Sequence, residues 1–328
     1  MPGCAILGAG SALPERVLWN SEVVRRVDAT DDWIVERTGI RARRTVEGSS
    51  QATSDLAVGA AQAALTSSNT RAADLDVVMV ATCSGDHLTP STACLVQAAI
   101  GARRAAAFDV NAACSGFVYG LWLADRLLAS AETSRVLLIG ADALTRHVDP
   151  HDRNTSILFG DGAGAVVLGP GAGLLAVELG ADGSRADDLV IPAGGSRRPV
   201  DGEVLHDRQN KLRMNGREVF RAAVESMSSA LDAATARAAV RPTDLRWVFA
   251  HQANARILRA VAERVNLPLE AFWTNLERYG NTGAASIPIA LAEAATAGSL
   301  APGDLLGLTA AGAGLTWGAA VMRWGATA

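Results

Sequence analysis

Cysteine, aromatic residues and long apolar runs are all scarce in this sequence. It has 4 cysteines in 328 residues, with no CxxC pair and no histidine at a metal-ligand spacing, which argues against a metal site or a disulfide framework. The first apolar run is too short for a secretory leader, so we expect a cytoplasmic protein with free thiols. No run approaches the roughly 18 uninterrupted apolar residues of a transmembrane span.

An excess of positive charge is also missing. The 30 lysines and arginines are outnumbered by 34 aspartates and glutamates, and the resulting net charge of −4 argues against a nucleic-acid-binding protein. Apolar residues make up 49% of the chain, so it can bury a large core, and intrinsic disorder is excluded. The length suits two structural units, or one large domain with a repeated architecture.

Short apolar runs alternate with longer stretches of helical periodicity, a pattern that is typical of α/β proteins. Strands are predicted at Val77–Ala81, Ala106–Val110, Val136–Ile139, Ala165–Leu168, Trp247–Ala250, Leu305–Thr309 and Ala319–Arg323. Helices are predicted at Asp55–Leu65, Thr92–Ile100, Gly116–Ser130, Val219–Ala238, Ala253–Val265 and Ile287–Ala297. The stretch Gly180–Leu212 is polar and rich in glycine, proline and aspartate, and is predicted to be a surface excursion.

Segments of the two halves of the chain resemble each other at a nearly constant offset. The segment ADLDVVMVA around Asp74 is echoed by TDLRWVFAH around Asp244, at an offset of 170. The run VLLIG is echoed by LLGLT at an offset of 169, and the turn at Asn111–Cys114 falls opposite Tyr279–Thr282. Three matches in the same order indicate a duplicated α/β half, whose equivalent turns would face each other in the folded chain.

Two glycine-rich segments resemble nucleotide-binding loops only in part. Gly8–Leu13 lacks the third glycine of a dinucleotide fingerprint, and Pro14 follows where a helix should begin. Phe159–Gly164 lacks the lysine and the Ser/Thr of a phosphate loop and leads into a predicted strand. For this second segment we expect close backbone packing at a buried turn.

Cys114 lies where a predicted strand ends and the predicted helix Gly116–Ser130 begins. At a helix N-terminus the unpaired N–H groups and the dipole would lower the pKa of the thiol, and the same amides could hold an oxyanion. Cys114 is therefore a candidate nucleophile. For Cys4, Cys83 and Cys94 we expect a structural role.

Two further residues lie at strand-to-helix junctions. His251 ends the predicted strand Trp247–Ala250, where it is open either to catalysis or to a hydrogen-bonded role in the core. Asn281 lies between two glycines in YGNTGAASIP, which fits either a tight turn or a backbone held close to a ligand. With Cys114 they form a candidate nucleophilic constellation.

The chain resembles the β-ketoacyl-acyl-carrier-protein synthase III family of thiolase-like condensing enzymes over essentially its whole length. The motifs that carry the resemblance are Asp31–Ile40, Ala112–Phe117, Asp149–Arg153, Phe159–Gly164, His251–Asn254, Gly280–Thr282 and Thr316–Gly318. Related families use a second cysteine, a second histidine or a glutamate as the third catalytic partner, and Asn281 takes that place here.

The resemblance implies an α/β fold, a thiolase-like five-layer αβαβα sandwich made of two duplicated halves. This agrees with the internal repeat. The nucleophile would lie in an N-terminal half, residues 1–170, and the histidine and asparagine in a C-terminal half, residues 171–328.

The resemblance also implies a two-stage reaction without a permanently bound cofactor. Cys114 would take an acyl group from an acyl-CoA primer, with the oxyanion held by the backbone amides of Cys114 and Ala313. Malonyl-acyl carrier protein would then lose CO₂, and His251 and Asn281 would stabilise the enolate that attacks the acyl-cysteine. The product is a β-ketoacyl thioester, which initiates fatty acid synthesis.

The resemblance assigns CoA to Trp33, Arg37, Arg153, Phe220 and Asn254. Trp33 and Arg153 would stack on the adenine, since an indole and a planar guanidinium both suit a purine.

The acyl pocket is assigned to Thr89 and Leu144. Thr89 stands where acetyl-using members often carry a bulky aromatic residue, so acetyl, branched and longer primers all stay open. Arg256 and Arg259 lie three residues apart and share a helix face, which could receive the acidic carrier protein or could simply be solvated.

Two alternative functions stay open beside this interpretation. A priming ketosynthase or an acyltransferase of a polyketide or secondary-metabolite pathway would share the same residues. A non-catalytic partner subunit would characteristically lose the nucleophile, so the presence of Cys114 argues against it. We expect a homodimer, with Ala105–Ala113 and Thr92–Ile100 contributing to the interface, and no metal, nucleic acid or membrane partner.

Overall fold

The computed structural model describes residues 3–130 and 132–326. The strands are β1 (Gly3–Ala12), β2 (Val17–Trp19), β3 (Ala42–Arg44), β4 (Val77–Ala81), β5 (Ala106–Val110), β6 (Val136–Ala143), β7 (Asp161–Gly171), β8 (Leu174–Ala181), β9 (Leu189–Val190), β10 (Arg213–Met214), β11 (Trp247–Ala250), β12 (Leu305–Gly312) and β13 (Thr316–Arg323). The α-helices are α1 (Asn20–Val23), α2 (Asp31–Thr38), α3 (Thr53–Ser67), α4 (Thr92–Ala99), α5 (Gly116–Leu128), α6 (Gly202–His206), α7 (Gly216–Arg237), α8 (Ala255–Arg264), α9 (Leu276–Tyr279) and α10 (Ser286–Thr296). None of these helices is long and apolar enough to cross a membrane.

Two main sheets alternate with three layers of helices. The first sheet has the strand order β1-β7-β6-β4-β5, and the second has the order β11-β12-β13-β8. Helices α3 and α4 pack on one face of the first sheet, α5 and α10 fill the space between the sheets, and α7, with α8 against it, covers the second sheet. The predicted five-layer αβαβα sandwich is therefore confirmed.

The internal repeat corresponds to repeated structure. A 3₁₀ turn at Ala72–Asp74 precedes β4, and a 3₁₀ turn at Pro242–Asp244 precedes β11. Each turn is closed by an arginine–aspartate ion pair, Arg71 with Asp74 in one half and Arg241 with Asp244 in the other. The helices α5 and α10 follow the same offset, so the two halves are duplicated in structure as the sequence predicts.

The strands of the first sheet lie between Gly3 and Gly171, and those of the second between Leu174 and Arg323. The division into domains at residue 170 stays a prediction. Residues 1–2 and 327–328 of the two predicted halves lie outside the described part of the chain.

The predicted strands and helices are all present, with some ends displaced. Strand β6 continues to Ala143, and β12 continues to Gly312, because buried small residues extend both strands toward the centre of the molecule. Several elements, most of them short, escaped the sequence pattern, and β8 and α2 are two examples. Strand β8 is a half-buried edge strand, and α2 is a short helix whose N-cap, Thr30, accepts a hydrogen bond from Trp33 N. The stretch Gly180–Leu212 is largely exposed, as predicted. It also contains the short strand β9 and the short helix α6.

The glycine-rich segment Phe159–Gly164 packs against main chain, as predicted. A Cβ atom built on Gly160 would lie 2.2 Å from Tyr279 O, and one built on Gly164 would lie 2.4 Å from Ile289 N. Any larger residue would therefore push the second half away from the first sheet.

Candidate active site

Cys114 lies in a sharp turn between a strand and a helix. Strand β5 ends at Val110, a 3₁₀ turn covers Ala113–Ser115, and α5 begins at the next residue. Ala113 takes up a left-handed conformation with a φ of 46°, which is unusual for a residue with a side chain. Strain of this kind is typical of turns that present a catalytic side chain, and Cys114 is 8% exposed.

The end of β12 lies directly against the main chain of the nucleophile. A Cβ atom on Gly312 would lie 2.6 Å from Cys114 N, so only glycine allows this approach. The following turn is fixed around the hydroxyl of Thr316, whose single O–H lies within reach of both Ala112 O at 2.9 Å and Ala313 O at 3.0 Å. This packing holds the turn after Gly312 against the segment that carries Cys114.

His251 lies at the end of β11, where its main-chain N–H donates to Thr309 O at 2.8 Å. The ring is 2% exposed, and its Nδ1 lies 3.1 Å from Ser286 Oγ. Burial lowers the pKa of His251 to about 4, although a hydrogen bond to the Gly283 main chain opposes that shift. The imidazole is therefore neutral at pH 7, and Nε2 is the ring nitrogen left for a substrate.

Asn281 is held by main-chain bonds to the strand-like segment before β7. Asn281 N donates to Leu158 O at 2.9 Å, and Gly160 N donates to Asn281 O at 2.9 Å. Its side-chain Oδ1 accepts from Gly283 N at 3.0 Å. Nδ2 has no hydrogen-bond partner among the described residues, so this amide group is available as a donor.

These three side chains line one cavity. The cavity has a volume of about 110 Å³, and Cys114 enters it from the first half while His251 and Asn281 enter it from the second. Apolar side chains such as Leu189 and Val219 form most of its wall. A thiol, a neutral imidazole and a free amide donor in one apolar cavity can form an acyl thioester and stabilise an oxyanion or an enolate.

The predicted lowering of the Cys114 pKa is wrong. Burial raises the pKa of the Cys114 thiol to about 12, and the nearby carboxylate of Asp142 also raises it, while the residue's own main-chain N–H lowers it. The helix N-terminus is present, but its effect is smaller than the cost of placing a thiolate in an apolar cavity beside a carboxylate. The thiol is therefore protonated at rest.

The predicted CoA residues fall into two groups. Trp33 has two guanidinium groups close to its ring, with Arg153 Cζ 5.1 Å and Arg37 Cζ 5.3 Å from the ring centroid. Phe220 and Asn254 instead line the cavity of Cys114. The groups are connected, because Asn254 Nδ2 donates to Arg37 O at 3.2 Å.

Neither predicted acyl-pocket residue lines this cavity in the single chain. Thr89 is exposed, on the loop between β4 and α4. Leu144 is buried against the turn that follows Asn281, where its Cδ1 would lie 3.0 Å from a Cβ atom built on Gly283. The cavity wall instead includes Leu158, Leu189 and Val219, which the sequence analysis did not assign to the acyl pocket.

Arg256 and Arg259 are both exposed on α8, as expected for a surface that receives a partner or for a solvated face. Arg256 Cζ lies 5.8 Å from the ring centroid of Phe220, so this helix borders the entrance side of the cavity. Among residues 3–130 and 132–326, no three His, Cys, Asp or Glu side chains are grouped in a way that could hold a metal ion.

The chain is similar to known proteins over almost its whole length. The family model for 3-oxoacyl-[acyl-carrier-protein] synthase III matches residues 108–183, and the model for the C-terminal part of that family matches residues 235–324. A β-ketoacyl-[acyl-carrier-protein] synthase III of Roseiflexus castenholzii is 49% identical over 98% of both chains.

Solved structures give the same result. The 3-oxoacyl-[acyl-carrier-protein] synthase III of Aquifex aeolicus is 42% identical, with a TM-score of 0.90 over 98% of this chain and 100% of that one. A priming β-ketosynthase of a polyketide biosynthetic pathway is 32% identical, with a TM-score of 0.91 over 98% of this chain and 96% of that one. The chain therefore belongs to the β-ketoacyl-[acyl-carrier-protein] synthase III family, whose members are condensing acyltransferases with a thiolase-like fold.

Proposed function

We propose that this enzyme initiates fatty acid synthesis by condensing an acyl group from acyl-CoA with malonyl-acyl carrier protein. The observation that carries the proposal is the shared cavity, which brings together Cys114, His251 and Asn281 from the two halves of the chain. Each group has the chemistry that one stage of this reaction needs.

In the first stage Cys114 becomes acylated. Its sulfur attacks the thioester carbonyl of acyl-CoA, the C–S bond to CoA breaks, and the thiol proton leaves with the CoA thiolate as CoA-SH. Neutral His251 is suited to carry that proton, because it lies in the same cavity and is unprotonated at rest. The main-chain amides of Cys114 and Ala313 would hold the oxyanion.

In the second stage malonyl-acyl carrier protein loses CO₂, and the electron pair of the broken C–C bond passes to the thioester as an enolate. His251, in the tautomer that carries its proton on Nε2, and Asn281 Nδ2 would donate hydrogen bonds to the enolate oxygen. The hydroxyl of Ser286 beside Nδ1 allows both tautomers, because it can accept from Nδ1 in the first stage and donate to it in the second. The enolate carbon then attacks the acyl-cysteine, and Cys114 leaves as the thiolate and regains a proton. The product is a β-ketoacyl thioester on the carrier protein.

The substrates would enter past Arg37 and Arg153, the two arginines beside Trp33. An indole with two guanidinium groups close to it suits the adenine and the phosphates of CoA, so we assign that part of the substrate to Trp33, Arg37 and Arg153. Phe220 and Asn254 would line the pantetheine path to the nucleophile.

We also propose a cytoplasmic location, where the free thiols of Cys83 and Cys114 would stay reduced.

We propose a homodimer that pairs the first sheets through β5. This strand lies at the edge of its sheet and leaves Phe108 37% exposed. Trp122, on α5, is 41% exposed. An apolar edge strand without a partner would invite uncontrolled pairing, which a dimer prevents.

The first prediction concerns acyl-enzyme formation. Mixing the protein with an acyl-CoA should add the mass of one acyl group, measured by intact-mass spectrometry, and Cys114→Ala should abolish the addition because the nucleophile is gone. Cys94→Ala is the matched control, since it removes an exposed thiol that lies outside the cavity. Parental protein that no acyl-CoA acylates would contradict the proposed function and would favour a non-catalytic subunit.

The second prediction separates the two stages. Asn281→Ala removes one enolate donor, so CO₂ release from malonyl-acyl carrier protein should fall by about 10²- to 10³-fold. Acylation of Cys114 should continue in the same protein, which serves as the internal control. Condensation at the parental rate would show that Asn281 does not stabilise the enolate.

The third prediction tests the carrier-protein surface. Reversing both charges of α8, in Arg256→Glu with Arg259→Glu, should raise KM for malonyl-acyl carrier protein, because an acidic partner would meet negative charge. KM for the acyl-CoA primer should stay near the parental value. Equal increases for both substrates would instead indicate a general disturbance of the entrance.

The fourth prediction concerns the primer and the alternative function. Thr89 lies on an exposed loop next to β5, the strand that we propose for the dimer interface, and it does not line the cavity of its own chain. We propose that it contributes to the acyl pocket of the partner chain. Thr89→Phe should reduce the use of long or branched acyl-CoA primers more than that of acetyl-CoA. An unchanged primer order would remove Thr89 from the acyl pocket.

The same primer panel, followed by β-ketoacyl product and released CO₂, separates the alternatives. The similarity to a polyketide-priming β-ketosynthase supports a priming role as the second candidate function. Acyl transfer without CO₂ release would indicate an acyltransferase.

A further inference from the structure

A buried carboxylate lies between the end of β4 and the turn that follows Asn281. Asp142 stands near the end of β6 and is 0% exposed. Its Oδ1 accepts hydrogen bonds from Thr82 Oγ1 at 3.1 Å, Cys83 N at 3.0 Å and Ser84 Oγ at 2.8 Å. Ser84 Oγ in turn accepts from Ala143 N at 2.9 Å, so the carboxylate is fixed from the first half of the chain.

The other oxygen of this carboxylate holds the second half. Asp142 Oδ2 accepts from Ala284 N at 2.8 Å. It also occupies the space beside Gly283, where a Cβ atom would lie only 2.2 Å away. A single carboxylate therefore connects the end of β6 to the turn at residues 281–286.

That turn orients both partners of the nucleophile. Gly283 N donates to Asn281 Oδ1, which directs Nδ2 away from the turn. Ser286 Oγ lies 3.1 Å from His251 Nδ1 and 3.2 Å from Thr282 Oγ1. A displacement of this turn would move the amide and the imidazole together.

We propose that Asp142 is a positioning residue of the condensation: its carboxylate holds the turn 281–286 where Asn281 and His251 face Cys114. It does not line the cavity and so does not act on substrate directly. The inference rests on the proposed two-stage reaction, because only the decarboxylating stage depends on both residues of the second half.

The negative charge of Asp142 gives a second, independent effect. Three titratable groups face Cys114: Asp142 from β6, Cys83 from the end of β4 and His251 from the end of β11. The residues that β12 and the turn Ala113–Ser115 place beside the thiol do not titrate. Asp142 raises the pKa of Cys114 by charge repulsion. Burial raises the pKa of Asp142 itself, and the hydrogen bonds from Ala284, Cys83, Ser84 and Thr82 oppose that rise. Since all these partners donate, the site is built for the ionised form.

The fifth prediction uses Asp142→Asn, which keeps the shape but removes the charge and one acceptor. CO₂ release from malonyl-acyl carrier protein should fall by about 10²-fold, as expected for misplaced catalytic groups. Alkylation of Cys114 by iodoacetamide at pH 8, followed on its own tryptic peptide, should become faster, because the charge that raises the pKa of the thiol is gone. Alkylation of Cys4, which is 0% exposed, should stay at the parental rate, whereas a merely unstable protein would expose both thiols and alkylate both faster.

Asp125→Asn is the matched control. Asp125 is also a buried carboxylate of the first half, but it accepts from Cys4 N and contacts neither the thiol nor the turn 281–286. Both rates should stay parental in this variant. If Asp142→Asn does not fold, Ser84→Ala tests the same point, since it removes the 2.8 Å bond to the carboxylate together with the acceptor of Ala143 N, and it should slow CO₂ release more than acylation.

Two outcomes would overturn the inference. One is parental CO₂ release in Asp142→Asn, and the other is a fall of acylation, alkylation and CO₂ release by the same factor. A parental enzyme that releases no CO₂ would refute the proposed function instead. The alkylation profile is measured without substrate, so it would still report the effect of Asp142 on Cys114.

Discussion

The catalytic arrangement depends on the close approach of α10 to the first sheet. A Cβ atom on Gly140 would lie 2.2 Å from Ala284 O, so only glycine lets the turn before α10 approach β6 so closely. Cys114 is carried at the end of the same sheet, and Asn281 begins the same turn. The glycine contact therefore sets the distance between the nucleophile and its partners. A side chain at Gly140 would push the turn away from β6 and widen the cavity.

The sequence was informative where function follows from local structure. Cys114 and His251 could be singled out because each follows an apolar strand and precedes a helical pattern. The expected strand-to-helix junction is wrong for Asn281, which follows the short helix α9, and the glycines around it were the signal that marked this turn. The same reasoning recovers the sheets, since buried strands such as β4 are continuous apolar runs. Short or half-buried elements such as α2 and β8 carry no such signal.

Properties that depend on long-range burial could not be predicted. The pKa of Cys114 follows from the depth of the cavity and from Asp142, which is distant in sequence and looks like an ordinary strand-end aspartate. Asp142 follows Val136–Ile139 by only three residues, so the polar end of a buried strand was the available signal. The same limit applies to Leu144, since spacing does not reveal which side of a turn a buried leucine occupies.

A protonated thiol and a neutral imidazole suit a reaction whose charges are transient. In a small apolar cavity, a permanent thiolate–imidazolium pair would be disfavoured by desolvation of both ions. Charge instead appears only when a thioester oxygen is present to receive it, and it appears next to fixed donors such as Asn281 Nδ2. The buried negative charge of Asp142 strengthens this bias, because it opposes the thiolate while it holds the donor for the enolate in place. The cavity would thus favour the state in which negative charge resides on the substrate over the state in which it resides on sulfur.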